Sequence, residues 1–151
     1  MEALKPSEIR QRILDQHQTL REKLDALEDG VTRLKAGDAS LLDELKKRAS
    51  ELHDHLCRHI DDEEALLLPE LEQADGFGPA RVAALRQEHA EQRATLAQVT
   101  DAIVTSTDPQ TLAERIEALI ARIRADMEEE EATHLSPSVL KDDIITSGFI
   151  G

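Results

Sequence analysis

Aromatic residues are nearly absent from this sequence. It contains no Trp and no Tyr, and its two Phe residues, Phe77 and Phe149, lie in a Gly-rich break and near the C-terminus. The core must therefore be built from aliphatic side chains. Because strands draw on aromatic and β-branched residues, this composition disfavours a sheet protein and favours an all-α fold.

Cysteine and long apolar runs are scarce as well. Cys57 is the only cysteine, so the chain cannot form an internal disulfide, and its first residues, MEALKPSEIR, lack the apolar stretch of a secretory signal. We therefore expect a protein of the reducing cytoplasm. The longest strictly apolar run extends from Ala65 to Leu68, far short of the roughly 20 residues of a membrane span, so no membrane partner is expected.

Positive charge is in short supply. The chain has 18 Lys and Arg against 32 Asp and Glu, which gives a formal net charge of −14. Such a chain repels phosphate backbones and anionic lipid, so nucleic acid and membrane surfaces are poor candidate partners. The length of 151 residues fits one domain with one hydrophobic core.

Four segments with helical periodicity make up most of the chain. Within them apolar residues recur every three or four positions, which is typical of amphipathic helices. Clusters of Gly, Pro, Ser and Asp separate the segments. The predicted helices span about residues 7–28, 39–74, 79–106 and 109–135.

Local signals specify where these helices start and how they connect. Ser7, Asp38 and Asp108 can each act as an N-cap. Pro69 lies inside the second segment and should end that helix early or kink it. Short connections make consecutive helices antiparallel neighbours, so we predict an up-down-up-down four-helix bundle over residues 1–137.

The residues after Pro137 form a short tail. We expect a helical turn around Val139 and Leu140, and we expect residues 138–151 to pack on one end of the bundle. The apolar residues available for this contact are Ile144, Ile145, Phe149 and Ile150.

Polar residues interrupt the apolar stripes of three predicted helices. At about 100° per residue, His59 and Glu63 fall inside the stripe of the second helix. His17 on the first helix and His89 on the third also lie among apolar residues. With about 1.5 Å of rise per residue, Glu63 and His89 are level. His17 is about 13 Å out of register with His59, a gap that the first connection can absorb.

A carboxylate that points into an aliphatic core needs a positive partner. A metal ion held by several side chains would supply one. His59 and Glu63 are one helical turn apart, so both can reach one ion or a pair of ions from the same face. A hydrogen-bonded core pair is the alternative interpretation, and the convergence of three helices favours metal.

The fourth helix offers further carboxylates. Asp126 and Glu130 repeat the four-residue spacing, with a carboxylate in place of the histidine. The angular position around the helix favours Glu130 over Asp126 as a ligand, because Asp126 lies at the edge of the apolar stripe. The alternatives are a solvated acidic face in this run of glutamates, or ligands from Glu131 and His134, although His134 is better placed to interact with the helix C-terminus.

Three further residues of the second helix lie outside its apolar stripe. His53 and His55 lie roughly 70° to 90° from the stripe, which predicts residues on the rim of the site or in solvent. Cys57 is expected to point outward, and we assign it no role.

Together these residues resemble the hemerythrin-like family of HHE cation-binding domains. The resemblance covers about residues 7–137 and depends on His17, HIDDEEALLLP at 59–69, Glu88-His89, Glu130-Glu131 and Pro137. In that family four antiparallel helices hold a non-haem iron site, usually a diiron pair, with histidines from every helix and bridging carboxylates. The resemblance implies that the histidines at 17, 59 and 89 are ligands, and that Glu63 is a bridging ligand.

The sequence departs from the family pattern on two helices. The fourth helix of the family usually reads His-x-x-x-Glu, whereas Asp126 or Met127 occupies the histidine position here. The third helix has His89 alone, with Leu85 one turn before it, where the oxygen-carrying members have a second histidine. A site with fewer imidazoles and more oxygens favours ferric iron or manganese over reversible dioxygen carriage.

Two functions from different classes remain. The leading hypothesis is a non-haem metal protein, with two irons per chain or manganese instead, that binds, senses or buffers iron, dioxygen or a related oxidant. No dedicated proton-transfer group identifies itself, which favours binding over catalysis. The alternative is a metal-free acidic helical module that docks a protein partner, whose melting temperature would ignore chelators. The predicted metal ligands are His17, His59, Glu63, His89, Asp126 and Glu130.

Overall fold

The fold consists of four long helices. The computed structural model describes residues 4–142. Helix α1 spans Pro6–Lys35, α2 spans Leu42–Ala74, α3 spans Gly78–Val104 and α4 spans Pro109–Ala132, and a short 3-10 helix, Ala39–Leu41, precedes α2. No strand occurs among the described residues, so the predicted all-α class is confirmed. None of these helices carries an apolar stretch long enough to cross a membrane.

The four helices form a closed ring. Each helix packs against the next along the chain, and α4 packs back on α1. Residue numbers run in opposite directions across the α1–α4 contact, since Lys35 contacts Glu117 whereas Asp25 accepts a bond of 2.7 Å from Arg124. Short connections leave no room for a crossover between helices. The predicted antiparallel four-helix bundle is therefore confirmed.

Helix α1 is longer than the sequence indicated, because Gly30 does not interrupt it. Gly30 is buried against Leu45, and an added Cβ would lie 2.6 Å from a methyl carbon of that leucine. The missing side chain lets α1 and α2 approach closely. The helix terminates at Gly37, whose φ of 109° is a left-handed conformation, and the amides of Gly37 and Asp38 satisfy carbonyls of the last turn.

Pro69 does not end α2 early, which was one of the two effects predicted for it, and the helix reaches its predicted end at residue 74. The helix continues to Ala74, although Pro69 has no amide hydrogen to donate to the carbonyl four residues earlier. Leu67 and Leu71 on either side of it are fully buried in the core. Their burial holds this segment in the helix and outweighs the local preference of proline.

The predicted N-caps differ in what they do. Asp108 caps α4 as predicted, since its carboxylate accepts a bond of 2.9 Å from the amide of Thr111. Asp38 precedes the 3-10 helix and makes no side-chain capping bond. Ser7 lies inside the first turn of α1, because the helix already begins at Pro6, and both its amide and its hydroxyl donate to Asp142.

Two apolar clusters fill the bundle, one on each side of a polar layer. The larger cluster extends towards the connection between α1 and α2, and the smaller one occupies the opposite end. Fully buried leucines and isoleucines form the centre of each cluster. Representative members are Leu24, Leu45 and Ile116 in the larger cluster, and Ile13, Leu71 and Leu85 in the smaller one.

The chain beyond α4 completes the smaller cluster. Leu135, Val139 and Leu140 are buried there, and the amides of Val139 and Leu140 bond to the carbonyl of Ser136 in a tight turn. The predicted contacts of four further tail residues lie outside the described part of the chain: Ile144, Ile145, Phe149 and Ile150.

Gly78 begins α3 where the chain passes close to the end of α2, and this position predicts a stability change. An added Cβ would lie 2.1 Å from the carbonyl oxygen of Glu72, which is backbone and cannot rotate away. We expect Gly78→Ala to lower the free energy of unfolding by about 1–3 kcal/mol in urea denaturation. Gly76→Ala is the matched control, because its Cβ would meet nothing within 4 Å. Equal stability of the two variants would contradict this packing argument.

Candidate metal centre

Five polar side chains form the layer between the two apolar clusters, and we call this set the central layer. None of them is more than 8% exposed. Each occupies a position where the helical repeat would otherwise place an apolar core residue. Its members are His17 from α1, His59 and Glu63 from α2, His89 from α3, and Glu130 from α4.

The three imidazoles direct the same ring atom, Nε2, at the two carboxylates. His59 Nε2 lies 2.8 Å from Glu63 Oε2, and His17 Nε2 lies 3.1 Å from Glu130 Oε1. His89 Nε2 lies 3.3 Å from Glu63 Oε1 and 3.7 Å from Glu130 Oε2. Glu63 therefore turns Oε2 towards His59, with His17 Nε2 at 3.9 Å, and Oε1 towards His89. Glu130 turns Oε1 towards His17 and Oε2 towards His89.

Four members of the central layer could hold a common ion. One ligand atom from each of four residues lies within 4.8 Å of the others: His17, His59, Glu63 and Glu130. Oxygen Oε1 of Glu63 is fully buried, and its contact with His89 Nε2 at 3.3 Å does not have the geometry of a good hydrogen bond, so within the described part of the chain this oxygen lacks a well-oriented partner. Since an unpartnered buried carboxylate oxygen is costly, a cation would satisfy it. The mixed imidazole and carboxylate donors fit a transition-metal ion such as iron.

The outer nitrogen of each imidazole, Nδ1, also has a polar partner. The pairs are His17 with Glu131 at 2.7 Å, His59 with Gln16 at 2.8 Å, and His89 with Glu64 at 2.9 Å. Each partner is the sequence neighbour of a member of the central layer. Helix α4 thus orients His17 on α1, helix α1 orients His59 on α2, and helix α2 orients His89 on α3. A proton held on Nδ1 leaves the Nε2 lone pair facing the centre.

The two buried carboxylates affect each other's ionisation. Burial raises the pKa of Glu130, and the neighbouring Glu63 raises it further. Burial would also raise the pKa of Glu63, but hydrogen bonds with Glu130, His59 and His89 hold it below its usual value. Glu63 is thus the carboxylate that ionises first.

The carboxylates in turn favour protonated imidazoles. Burial alone would lower the pKa of His89, but hydrogen bonds to Glu130 and Glu63 raise it to about 10. Burial opposes protonation of His17 as well, yet Glu130 and Glu131 raise its pKa. Protons on these two histidines balance the charge of the central layer when no cation does so.

Asp126, a predicted ligand, does not join the converging atoms. Its carboxylate pairs with Arg122 on the same helix, whose Nε lies 3.3 Å from both oxygens, and its side chain is 27% exposed. Burial raises the pKa of Asp126, and Arg122 opposes that shift. Asp126 borders a cavity of about 40 Å³ that the central layer also lines. The structure thus brings together the other five predicted ligands and leaves Asp126 at the margin.

The remaining histidines lie away from the central layer. His134 follows the end of α4, and its Nε2 is 3.4 Å from Glu88 Oε2. His53 lies beside Asp54, with its Nε2 3.7 Å from the sulfur of Cys57. His55 lines a pocket on the surface between α1 and α2.

Sequence reasoning missed the outer partners Gln16 and Glu64, and it listed Glu131 only as an alternative ligand. Arg21 was missed too, and it donates a bond of 2.9 Å to the second oxygen of Glu131. The available signal was their position, because each of the three partners is the immediate neighbour of an inward-facing residue. A residue at that position lies about 100° from the centre of the stripe and faces the adjacent helix.

Comparison with known protein families gives a match for this chain. The family model described as the hemerythrin HHE cation binding domain matches residues 8–135. The chain belongs to this family. The resemblance seen in the sequence is thereby confirmed, and the bundle is a hemerythrin-like one. The chain matches no curated protein and no solved structure. Membership of a cation-binding family agrees with a central layer that could hold a metal ion.

The raised pKa of His89 predicts how the stability of the metal-free protein depends on pH. His89 binds its proton more tightly in the folded state, where its pKa is about 10, than at the ordinary value of 6.5. Its contribution to stability is therefore fully present below about pH 6.5 and is lost as the pH rises through about 10. With EDTA present, we expect the melting temperature to fall between pH 7 and pH 10, as followed by circular dichroism.

Two variants isolate the contribution of His89 to this fall. His89→Gln should make the fall shallower, because one of the two histidines with a raised pKa is gone and His17 remains. His53→Gln, at a position outside the central layer, should keep the wild-type slope. An unchanged slope in His89→Gln would show that this histidine does not carry the pH dependence.

Proposed function

We propose that this hemerythrin-family protein binds non-haem iron in its central layer, and that it thereby binds, senses or buffers iron, dioxygen or a related oxidant. The observation that carries the proposal is the convergence of three Nε2 atoms on two buried carboxylates, with at least one group from every helix. The Nδ1 partners support it, because they fix each imidazole in the orientation and tautomer that a metal ligand needs.

The arrangement of the carboxylate oxygens favours two ions per chain. One position would use His17, His59 and one oxygen from each carboxylate, and the other would use His89 and the remaining two oxygens. Glu63 and Glu130 would then bridge the ions. The first position has four protein ligands and the second has three, so we expect the first ion to bind more tightly.

The oxygen-rich second position suits ferric iron or manganese better than a softer ion. Bound iron would supply redox chemistry and free coordination positions for a small oxidant. The surrounding residues restrict access to such positions, since the aliphatic side chains of Leu20, Leu56, Ile123 and Met127 line the adjoining cavity. The inner cavity is small, about 40 Å³, and suits a ligand the size of water, dioxygen or peroxide.

The compartment we propose is the cytoplasm. Cys57 is the single cysteine of the chain and has no partner for an internal disulfide, which fits a reducing environment. A cytoplasmic protein would also meet ferrous iron, the form that loads such a site most readily.

Metal content per chain tests this function directly. After anaerobic ferrous loading and desalting, we expect about two irons per wild-type chain and about one in His89→Ala, because that variant loses the only imidazole of the second position. His59→Ala removes one of the four ligands of the tighter position and should retain less iron than the wild type. Because the chain has no Trp and no Tyr, its concentration must come from amino-acid analysis.

The control is His53→Ala, which removes a histidine of the same helix outside the central layer and should leave the metal content unchanged. If the wild type retains no iron, manganese or zinc, the proposed function is wrong. If His89→Ala retains as much iron as the wild type, the proposal of two bridged positions is wrong.

Glu131 provides a second test, because it acts on the centre only through His17. Its carboxylate lies 2.7 Å from His17 Nδ1 and also accepts the bond from Arg21. Glu131→Gln keeps the size and removes the charge, so we expect the affinity for Fe²⁺ to fall by roughly tenfold in anaerobic chelator competition. The number of bound ions should stay the same. Glu129→Gln, at an exposed position of α4, should bind like the wild type, and an equal loss in both variants would rule out a specific role for Glu131.

A further inference from the structure

The cavity beside the central layer adjoins a surface groove between α3 and α4. A groove of about 200 Å³ runs along the outside of these two helices. The groove and the inner cavity share three lining residues, Gln92, Leu96 and Asp126. The side chains of these three residues therefore stand between the groove and the inner cavity, and we call them the mouth. The three histidines and both carboxylates of the central layer also line the inner cavity.

A second surface pocket, between α1 and α2, also reaches the central layer, but only at the outer, Nδ1-bearing edge of an imidazole. It touches His59 together with Gln16 and Asp62. Gln16 closes this side, because its amide oxygen pairs with Nδ1 of His59 at 2.8 Å. A cation arriving there would meet the outer edge of the imidazole and would have to displace Gln16 to pass. The α3–α4 mouth is the more direct route.

Asp126 is the only acidic residue among the three that form the mouth. It lies one helical turn before Glu130, about 6 Å along the axis of α4, so a cation held by Asp126 is within one step of the central layer. Its partner Arg122 is half exposed, and its Nε is 3.3 Å from each carboxylate oxygen. Such an exposed pair within one helix is weak, so a divalent cation can displace the guanidinium.

We propose that divalent cations reach the central layer between α3 and α4, and that Asp126 binds them in passage while Arg122 covers its carboxylate between passages. This inference rests on the proposed function, since it concerns how the central layer is loaded. Asp126 is then a positioning residue of the access route and not a permanent ligand. The two roles predict different kinetics, because a passage residue changes association and dissociation rates together and leaves the affinity unchanged.

Cobalt binding to the metal-free protein separates these roles. Co²⁺ is the probe, its visible absorption in the bound state gives the association rate by stopped flow, and displacement by excess EDTA gives the dissociation rate. Asp126→Asn should slow both rates by roughly three- to tenfold, the effect of one lost charge near a dication, with the same final spectrum and affinity. Arg122→Gln should accelerate association. Asp62→Asn is the matched control, since Asp62 lines the pocket on the α1–α2 side.

Each outcome decides between the roles. Faster dissociation in Asp126→Asn, with weaker affinity and an altered spectrum, would make Asp126 a permanent ligand and overturn the passage role. Wild-type rates in Asp126→Asn, or slowing in Asp62→Asn instead, would overturn the α3–α4 route while the function stands. If the wild type gives no bound-cobalt spectrum and retains no iron, manganese or zinc either, the proposed function itself fails and the route fails with it.

Discussion

The burial of two carboxylates in an aliphatic core is the constraint on which the rest of the structure depends. Glu63 and Glu130 meet at mid-height in the bundle, where an ionised carboxylate without a partner would be costly. Three imidazoles face them, and the raised pKa values of two of these, His17 and His89, reflect the negative charge of the neighbouring carboxylates. This charge can be balanced by protons or by metal ions, so ion binding and proton release are coupled at this centre.

The outer hydrogen bonds explain how a flexible set of side chains is held in place. Glu131, Gln16 and Glu64 each come from a different helix and each fixes an imidazole of the neighbouring helix. The orientation of any one histidine therefore depends on correct docking of two helices. The centre is specified by the packing of the whole bundle and not by any one motif, and single motifs are accordingly weak predictors of its geometry.

The sequence predicted the helices and the inward residues well, because both depend on periodicity. It ended the first helix too early, before Gly30, where burial against Leu45 keeps the helix continuous. The predicted span of the second helix was right, although Pro69 was expected to end that helix early or kink it, and burial of Leu67 and Leu71 against the core carries the helix on to Ala74. It could not predict Gln16 or Glu64, because the partner of an imidazole Nδ1 depends on rotamers and on the distance between two helices. Asp126 shows how far the angular position around a helix can predict the direction of a side chain. A residue at the edge of the apolar stripe can face the central layer, the solvent or a charged neighbour such as Arg122.

The distribution of the central layer over all four helices has a consequence for folding kinetics. The donors lie far apart in the chain, from His17 to Glu130, and they meet only when every helix has docked. A partly folded chain with one helix undocked lacks at least one ligand, so an ion gains little from binding to it. An ion bound at this centre therefore stabilises interactions that form last, and it would slow the unfolding of the bundle while leaving the folding rate almost unchanged.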